Sequence, residues 1–336
     1  MKAVELVAPR DLRLTERETP EPGPNEVRLA VSRVGICGTD LEFYRGRRSA
    51  GYPFVLGHEC AGRVDAVGRG AEAWTAGTPV TVRPNFGCGT CAYCRAGREN
   101  VCPDGRGLGV TIDGCLAEFV VVPARYLWRI PDGMDLETAA LIEPTAVAER
   151  AVRRAGSIDG GRVLVLGAGS IGLLATRIAT LGGAEVAVAD PVAGRRSRAL
   201  AFGASRTFDS DAAELQEETF DVVIETAGAP AAASAAVERV RPGGRIVLTG
   251  IPMDPAPLAT RFVVWRELEL VGSFIYETDD FERACDRIAR GEIAARDVVT
   301  DRFDLGRVGE AFERAAGGES LKVLIEMTER VSEEAS

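Results

Sequence analysis

The fold of the second half of the chain is decided by one stretch, Val163-Leu164-Val165-Leu166-Gly167-Ala168-Gly169-Ser170-Ile171-Gly172. Its four leading apolar residues are typical of a buried strand, and its glycines follow the pattern GxGxxG. A helical pattern covers residues 170–182, and a second apolar run, 185–189, ends at Asp190. This order of strand, glycine turn, helix, strand and acidic residue predicts a dinucleotide-binding unit.

The glycines of this turn each have a physical purpose. Gly167 allows the tight turn, Gly169 lets the backbone approach a pyrophosphate, and Gly172 lets the helix lie close to the strand. The free N–H groups at the start of the helix favour an anion. A similar fold without a bound nucleotide remains the alternative. The candidate cofactor-binding residues are Gly167, Gly169, Ser170, Ile171, Gly172, Asp190 and Arg195.

Asp190 bears on the choice of cofactor. Its carboxylate would accept hydrogen bonds from both ribose hydroxyls and would repel a 2′-phosphate, which favours NAD over NADP. Arg195 and Arg196 follow closely and support NADP as the alternative.

The pattern around the glycine turn gives the domain organisation. Apolar runs alternate with helical patterns from 162 to 274, which predicts a doubly wound parallel sheet. The first 145 residues instead show short β runs separated by turns, with helical periodicity at 136–156. A closing strand at 322–327 is expected to rejoin this first domain. The predicted α/β fold therefore has a β-rich domain of residues 1–145 with 276–336 and a dinucleotide-binding domain of residues 146–275, with frayed residues at 331–336.

Composition excludes some partners and favours a compartment. The chain has 336 residues, 46% of them hydrophobic, and a formal net charge of −10. Such a charge disfavours nucleic acid and anionic membranes as partners. The start of the chain lacks an apolar targeting segment, so a soluble cytoplasmic protein is expected. There, eight cysteines suggest metal binding or catalysis before disulfides.

Four of the cysteines lie in a loop-rich lobe at 84–105 with the spacing C-x2-C-x2-C-x7-C. Four thiolates on short spacers suit a tetrahedral structural zinc ion, which would hold together a loop too polar to fold by burial alone. An iron–sulfur cluster and a redox disulfide pair are the alternatives. The candidate ligands are Cys88, Cys91, Cys94 and Cys102.

A second possible metal set combines different ligand types. Cys37 follows a β segment, His58 is the only histidine of the chain, Glu59 follows it directly, and Glu143 precedes Pro144. A thiolate, an imidazole and a carboxylate suit a catalytic zinc ion with one position open to water or substrate. A single histidine is also compatible with a purely structural role. Cys60, Cys115 and Cys285 are interpreted as small buried side chains.

Several motifs, in this order, resemble the zinc-dependent medium-chain dehydrogenase/reductase family over residues 1–330. The resemblance implies a GroES-like catalytic domain and a Rossmann domain, two zinc ions per chain, and a homodimer or homotetramer. The motifs are Gly35-Ile36-Cys37-Gly38-Thr39-Asp40, Gly57-His58-Glu59, the four-cysteine lobe, Asp113-Gly114-Cys115-Leu116-Ala117-Glu118-Phe119, Ile142-Glu143-Pro144 and 167–172.

The same resemblance implies roles for single residues. Cys37 and His58 match catalytic zinc ligands, and Glu59 matches a ligand of the polyol branch. Glu143 stands where the family has either a third ligand or a carboxylate acting through the zinc-bound water. Thr39 matches the hydroxyl that bonds the substrate alcohol. The implied reaction is hydride transfer from a secondary alcohol to the nicotinamide.

The position of the family's relay histidine is occupied by Glu42. Glu42 is either the proton relay or a surface charge, and in the second case Thr39 and the cofactor ribose pass the proton to water. Arg45, Arg47 and Arg48 follow as a basic cluster that could attract a phosphorylated or carboxylated substrate, or belong to a solvated loop.

The implied substrate is a polyol, sugar or cyclitol, with ketone or lactone as the product. An amino-alcohol dehydrogenase of the threonine type is the second hypothesis. A non-catalytic or zinc-free reductase is the third, and the complete set Cys37, His58, Glu59 and Glu143 argues against it.

Overall fold

A computed structural model describes residues 1–327 as two compact units. The first comprises residues 1–143 and the chain from 296 onward, and the second comprises residues 144–295. The first boundary lies close to the expected one at 145. The second differs, because residues 276–295 belong to the dinucleotide-binding unit. The prediction of frayed residues at 331–336 lies outside the described residues.

The described chain contains β-strands and α-helices in the following order. The strands are β1 (Lys2–Ala8), β2 (Asp11–Glu16), β3 (Glu26–Ile36), β4 (Phe54–Val55), β5 (Glu59–Val67), β6 (Pro79–Val82), β7 (Asn85–Phe86), β8 (Arg106–Gly107), β9 (Phe119–Pro123), β10 (Leu127–Arg129), β11 (Arg162–Leu166), β12 (Glu185–Ala189), β13 (Arg206–Phe208), β14 (Phe220–Glu225), β15 (Val240–Leu248), β16 (Glu269–Gly272), β17 (Val299–Asp304) and β18 (Lys322–Glu326). The helices are α1 (Gly38–Tyr44), α2 (Ala92–Arg95), α3 (Leu136–Ala140), α4 (Ile142–Ala155), α5 (Ser170–Leu181), α6 (Ala193–Ala201), α7 (Ala213–Gln216), α8 (Pro230–Arg239), α9 (Thr260–Trp265), α10 (Thr278–Ala289) and α11 (Val308–Ala316).

The second unit contains the predicted parallel sheet. Its strand order is β13-β12-β11-β14-β15-β16, and every neighbouring pair is parallel. The central strand β11 is buried from Val163 to Leu166. An uninterrupted apolar run is what a strand covered on both faces requires, which is why this part of the fold can be read directly from the sequence. The order is that of a Rossmann fold.

Ion pairs explain why α10 belongs to the second unit. The Arg150 guanidinium lies 2.7 Å from Glu277, at the start of α10, and 3.5 Å from Asp280. Farther along, Arg287 lies 3.1 Å from Glu149 of α4. Asp280 and Glu149 are almost fully buried, so the carboxylates require these partners. Helix α10 therefore packs on α4, which begins the second unit.

The first unit is built around a seven-stranded sheet. Its order is β10-β6-β5-β3-β18-β17, and β9 also pairs with β3. Strand β18 pairs antiparallel with β3 and parallel with β17. The prediction that the closing strand rejoins the first domain is therefore confirmed. A three-stranded sheet, β2-β1-β4, and the small β7-β8 pair complete the unit.

Two local predictions need correction. The helical pattern at 136–156 is two helices, α3 and α4, and the second carries Pro144 in its first turn, where the missing N–H costs no helical hydrogen bond. The strand expected from Cys115 begins only at Phe119. The N–H groups of Cys115 and Leu116 instead bind the carbonyls of residues 57 and 56. No helix of the described residues is long and apolar enough to cross a membrane.

Candidate zinc centres and the glycine-rich turn

Cys37 lies where strand β3 ends and helix α1 begins. It is the N-cap residue of α1, and its backbone N–H donates to the Asp40 carboxylate at 2.8 Å. Asp40 is the third residue of the helix, so this exchange is a capping box with cysteine in place of the usual hydroxyl residue. The helix cap thereby fixes the backbone that carries the thiol.

His58 is positioned by three glycines that meet before it. Gly57 has a φ of +95°, and a Cβ on Gly109 or on Gly114 would lie only 2.3 Å from the Gly57 carbonyl oxygen. That carbonyl accepts the Cys115 N–H at 3.0 Å. The loop at 109–115 therefore closes against the backbone of residue 57 and directs the histidine into the interior, where it is 8% exposed.

Asp40 joins the two ligand-bearing segments. Oδ2 of Asp40 accepts the Cys37 N–H, and Oδ1 accepts the Gly57 N–H at 3.2 Å and lies 3.5 Å from Nδ1 of His58. This arrangement turns Nδ1 toward Asp40 and leaves Nε2 for a metal. Burial acts to lower the pKa of His58, but Asp40 and then Cys37 outweigh it, and the pKa is raised well above its ordinary value.

Glu59 is held by a buried lysine from the other end of the chain. Lys322, at the start of β18, places its Nζ 2.6 Å from both Glu59 oxygens and 3.2 Å from the Ile36 carbonyl oxygen. Both side chains are almost completely buried. Burial acts to lower the pKa of Lys322, but attraction by Glu59 and then Cys37 raises it. A Cβ on Gly35 would lie 2.2 Å from a Glu59 oxygen, so this contact also requires glycine there.

Cys37, His58 and Glu59 form one possible metal set. Their ligand atoms all lie within 4.8 Å of one another. Glu143 is buried but is not part of that set, although its charge contributes to the field at Lys322. One sulfur, one imidazole nitrogen and one carboxylate oxygen fit zinc with an open position. A carboxylate can accept the lysine and bind a metal at the same time, because its two oxygens offer about four lone-pair sites.

Thr39 and Glu42 share helix α1 with this set. Thr39 is the second helical residue and is partly exposed. The Glu42 carboxylate lies 3.1 Å from Arg45 and 3.4 Å from Arg47. Glu42 therefore pairs with two of the three arginines of the basic cluster, which is the arrangement expected for a charge with a structural role.

The four lobe cysteines also converge. The sulfur atoms lie 3.9 Å apart for Cys88 and Cys94 and 3.8 Å apart for Cys91 and Cys102. Tetrahedral zinc with Zn–S bonds of about 2.3 Å separates its sulfur ligands by about 3.8 Å, so the set fits structural zinc. The side-chain hydrogen bond from Thr90, followed by nearby backbone N–H groups, lowers the pKa of Cys88 to about 6, whereas burial raises the pKa of Cys94 to about 12.

The glycine-rich turn has the contacts that its pattern predicts. Gly167 has a φ of +98°, and a Cβ on Gly172 would lie 1.8 Å from the Gly167 carbonyl oxygen. A Cβ on Gly169 would meet no atom within 4 Å, so space is open beside it. Ser170 and Ile171 begin helix α5 directly after Gly169.

Asp190 is buried and has two backbone partners. One carboxylate oxygen accepts the Ala168 N–H at 2.8 Å, and the other accepts the Val192 N–H at 2.8 Å. Arg195 lies 3.8 Å from the first oxygen. Arg196 binds the carbonyls of Asp190 and Pro191 and the Asp209 carboxylate. Asp190 therefore supports the glycine turn directly.

Sequence reasoning did not assign a role to two residues that support the Cys37, His58 and Glu59 set, namely Asp40 and Lys322. Asp40 had a usable signal, because an N-cap position at 37 and an acidic residue three positions later have the spacing of a capping box. Lys322 had none, since its partner Glu59 is 263 residues away.

Comparison with known proteins places this geometry in a family. The model of an alcohol dehydrogenase GroES-like domain matches residues 23–132, and that of a zinc-binding dehydrogenase matches residues 170–290. Sorbitol dehydrogenase of Bacillus subtilis (strain 168) is 33% identical, with 97% of each chain covered. The chain belongs to the zinc-binding alcohol dehydrogenase family. It is a zinc-dependent oxidoreductase that acts on CH–OH donors, with a GroES-like domain and a Rossmann domain.

Other members of the zinc-binding alcohol dehydrogenase family are similarly close. The 2-dehydro-3-deoxy-L-galactonate 5-dehydrogenase of Pseudoalteromonas atlantica is 34% identical (97% of this chain, 98% of the relative), and the L-threonine 3-dehydrogenase of Saccharopolyspora erythraea is 35% identical (98% and 100%). Two crystal structures align with a TM-score of 0.91 and 32% identity over 97% of this chain. One is a zinc-binding dehydrogenase from Sinorhizobium meliloti 1021 bound to NADP, covered to 98%. The other is RspB from Escherichia coli CFT073 complexed with NADH, covered to 99%.

Proposed function

We propose that this enzyme oxidises a secondary alcohol of a polyhydroxy compound, with NAD as the hydride acceptor and the substrate oxygen at the Cys37, His58 and Glu59 set. The convergence of one thiol, one imidazole and one carboxylate carries the proposal. In this assignment Glu59 is the third ligand and Glu143 acts from outside the set. The proposal includes two zinc ions per chain, one here and one in the cysteine lobe.

The residues divide the chemistry as follows. Zinc, when bound, supplies a Lewis acid that lowers the pKa of the substrate hydroxyl. Thr39, two residues from Cys37, accepts the proton of that hydroxyl in a hydrogen bond and passes it on. Glu42 as the relay stays a prediction, and its ion pairs with Arg45 and Arg47 favour the alternative route through Thr39 and the cofactor ribose to water.

The substrate class follows from the relatives and is tested by a screen. The names of the relatives cover a polyol, a sugar acid and threonine. We expect the purified zinc-loaded enzyme to reduce NAD with polyols, sugar acids or cyclitols at kcat/KM values at least about tenfold above those for L-threonine. Absorbance of NADH at saturating NAD is the readout. Preference for threonine would establish the amino-alcohol alternative, and no reduction with any panel alcohol would overturn the proposal.

NAD is preferred over NADP because Asp190 stands at the end of β12. We expect Asp190→Ala to lower kcat/KM for NAD by about 10- to 100-fold, since a carboxylate that binds two backbone N–H groups is lost. The ratio of kcat/KM for NADP to that for NAD should rise, because the charge that repels the 2′-phosphate is gone. Both constants are measured with one alcohol substrate.

The matched control for this substitution is Asp190→Asn. It keeps an oxygen acceptor for one backbone N–H, replaces the other acceptor by an NH2 group and removes the charge, so it should raise the NADP:NAD ratio with a smaller loss on NAD than Asp190→Ala. Equal ratios in the wild type and both variants would remove Asp190 from cofactor selection.

A homodimer, alone or within a tetramer, is part of the proposal. Strand β16 pairs only with β15 among the described strands, and Trp265 and Val264, at the end of helix α9 shortly before β16 in the chain, are 74% and 73% exposed. Large apolar side chains next to an open strand edge are typical of an interface. We expect light scattering to give at least twice 35.7 kDa, and Trp265→Glu to lower that mass. A monomeric wild type would contradict this.

A cytoplasmic location is also proposed. Its support is the two thiol-containing metal sets, which need reduced cysteines.

A further inference from the structure

Three arginines follow helix α1 and differ in what they contact. This segment connects α1 to β4 and so lies between Cys37 and His58 in the chain. Arg45 binds Glu42 at 3.1 Å and the Ala316 carbonyl oxygen at 3.2 Å. Arg47 lies 3.4 Å from the same glutamate. Both guanidinium groups thus contribute to holding α1 in place.

Arg48 has a different environment. Its guanidinium carbon lies 5.2 Å from the centre of the Phe43 ring, and within residues 1–327 it forms no ion pair with a carboxylate. A guanidinium stacked on an aromatic ring keeps its N–H groups at the outer edge, in the fork geometry that binds a carboxylate through two hydrogen bonds. Phe43 itself is 2% exposed and packs against Phe54. Its ring is therefore a firmly held platform for the Arg48 guanidinium.

The platform shares a helix face with the reacting end of the site. Thr39 and Phe43 are four residues apart in α1 and therefore lie on one face, about 6 Å apart along the axis. When the length of the Phe43 side chain and its distance to Arg48 are added to this separation, the Arg48 guanidinium lies roughly 10–15 Å from the Thr39 hydroxyl. An extended six-carbon chain with a hydrogen bond of about 2.9 Å at each end spans a similar distance.

We propose that Arg48 binds the terminal carboxylate of the substrate, so that the enzyme acts on a sugar acid, a polyhydroxy chain with a carboxylate at the end distant from the oxidised carbon. The inference rests on the proposed function at the Cys37, His58 and Glu59 set. It also gives the basic cluster a purpose in a chain whose net charge of −10 would otherwise repel an anionic substrate. Arg48 is thus a specificity-determining residue.

The experiment compares each of two sugar acids with its own alditol. Initial rates of NADH formation are measured with zinc-loaded enzyme and saturating NAD for L-idonate against iditol and for galactonate against galactitol. We expect the wild type to favour the acid, and Arg48→Gln to lower the acid-to-alditol ratio of kcat/KM by about 10- to 100-fold, mainly through the KM of the acid. Arg48→Lys keeps the positive charge but lacks the planar guanidinium that donates two hydrogen bonds to one carboxylate, so it should give an intermediate ratio.

The control is Arg69→Gln, which removes the same charge from an exposed position of the same unit and should leave the ratio unchanged. Equal falls with Arg48→Gln and Arg69→Gln would assign the effect to net charge and overturn the proposal. A wild-type preference for alditols over sugar acids would also overturn it. In both cases the alcohols are still oxidised, whereas failure of the proposed function would leave every panel member unoxidised.

Discussion

Replacing Cys37 by serine is expected to halve the zinc content, from two ions per chain to one, and to lower kcat for alcohol oxidation by about 10³-fold or more. The loss follows because a Lewis acid supplies several kcal/mol of stabilisation to the developing alkoxide. A serine hydroxyl retains the size of the thiol but is a poor zinc ligand at neutral pH. Elemental analysis and initial rates measure the two effects.

Cys91→Ser is the matched control in the cysteine lobe. It should also remove one zinc ion, but its main effect should be a lower thermal unfolding midpoint, since this zinc holds a loop with little buried surface. A protein with a single zinc ion that leaves with Cys91→Ser and is unaffected by Cys37→Ser would disprove the catalytic assignment.

Replacing Lys322 by methionine is expected to destabilise the first unit by about 3–5 kcal/mol, because Glu59 would remain as a buried charge without its partner. For a unit of this size the thermal midpoint should fall by about 6–20 °C. Differential scanning calorimetry of the zinc-free protein, in which no metal compensates the Glu59 charge, measures the change in the thermal midpoint.

Two further variants separate charge from packing at this position. Lys322→Arg keeps the charge and should cost less, while the double variant Glu59→Gln with Lys322→Met removes both charges and should recover part of the stability. If Lys322→Met and the double variant unfolded at the same temperature, the ion pair would have no role beyond filling space.

The parallel sheet was readable from sequence for a physical reason. Strands β11, β12 and β14 are covered on both faces and therefore appear as uninterrupted apolar runs. Strands β2 and β17 carry charged residues at exposed positions. Their sequences therefore show no uninterrupted apolar run, and any alternation of apolar and polar residues in them is too short to recognise. The domain boundary at 276 was misplaced because α10 is held by ion pairs, which leave no periodic trace in the sequence.

In the candidate site, the metal ligands were predictable from the sequence, whereas the residues that support them were not. Cys37, His58 and Glu59 stand in short local motifs whose residue types suggest a metal. Their supports come from elsewhere in the chain: the carbonyl of Gly57 meets Gly109 and Gly114, and Glu59 meets Lys322. Contacts of this kind depend on sheet register and close packing, which a single sequence does not encode as a pattern.

The place of β18 has a consequence for the order in which the nascent protein matures. During synthesis, residues 1–143 leave the ribosome long before β18, and the whole second unit is made in between. Until β18 pairs with β3, Glu59 has no lysine partner, and strand β3, which leads to Cys37, lacks one of its neighbours. The ion pair that holds Glu59 therefore forms only after the whole second unit has been translated.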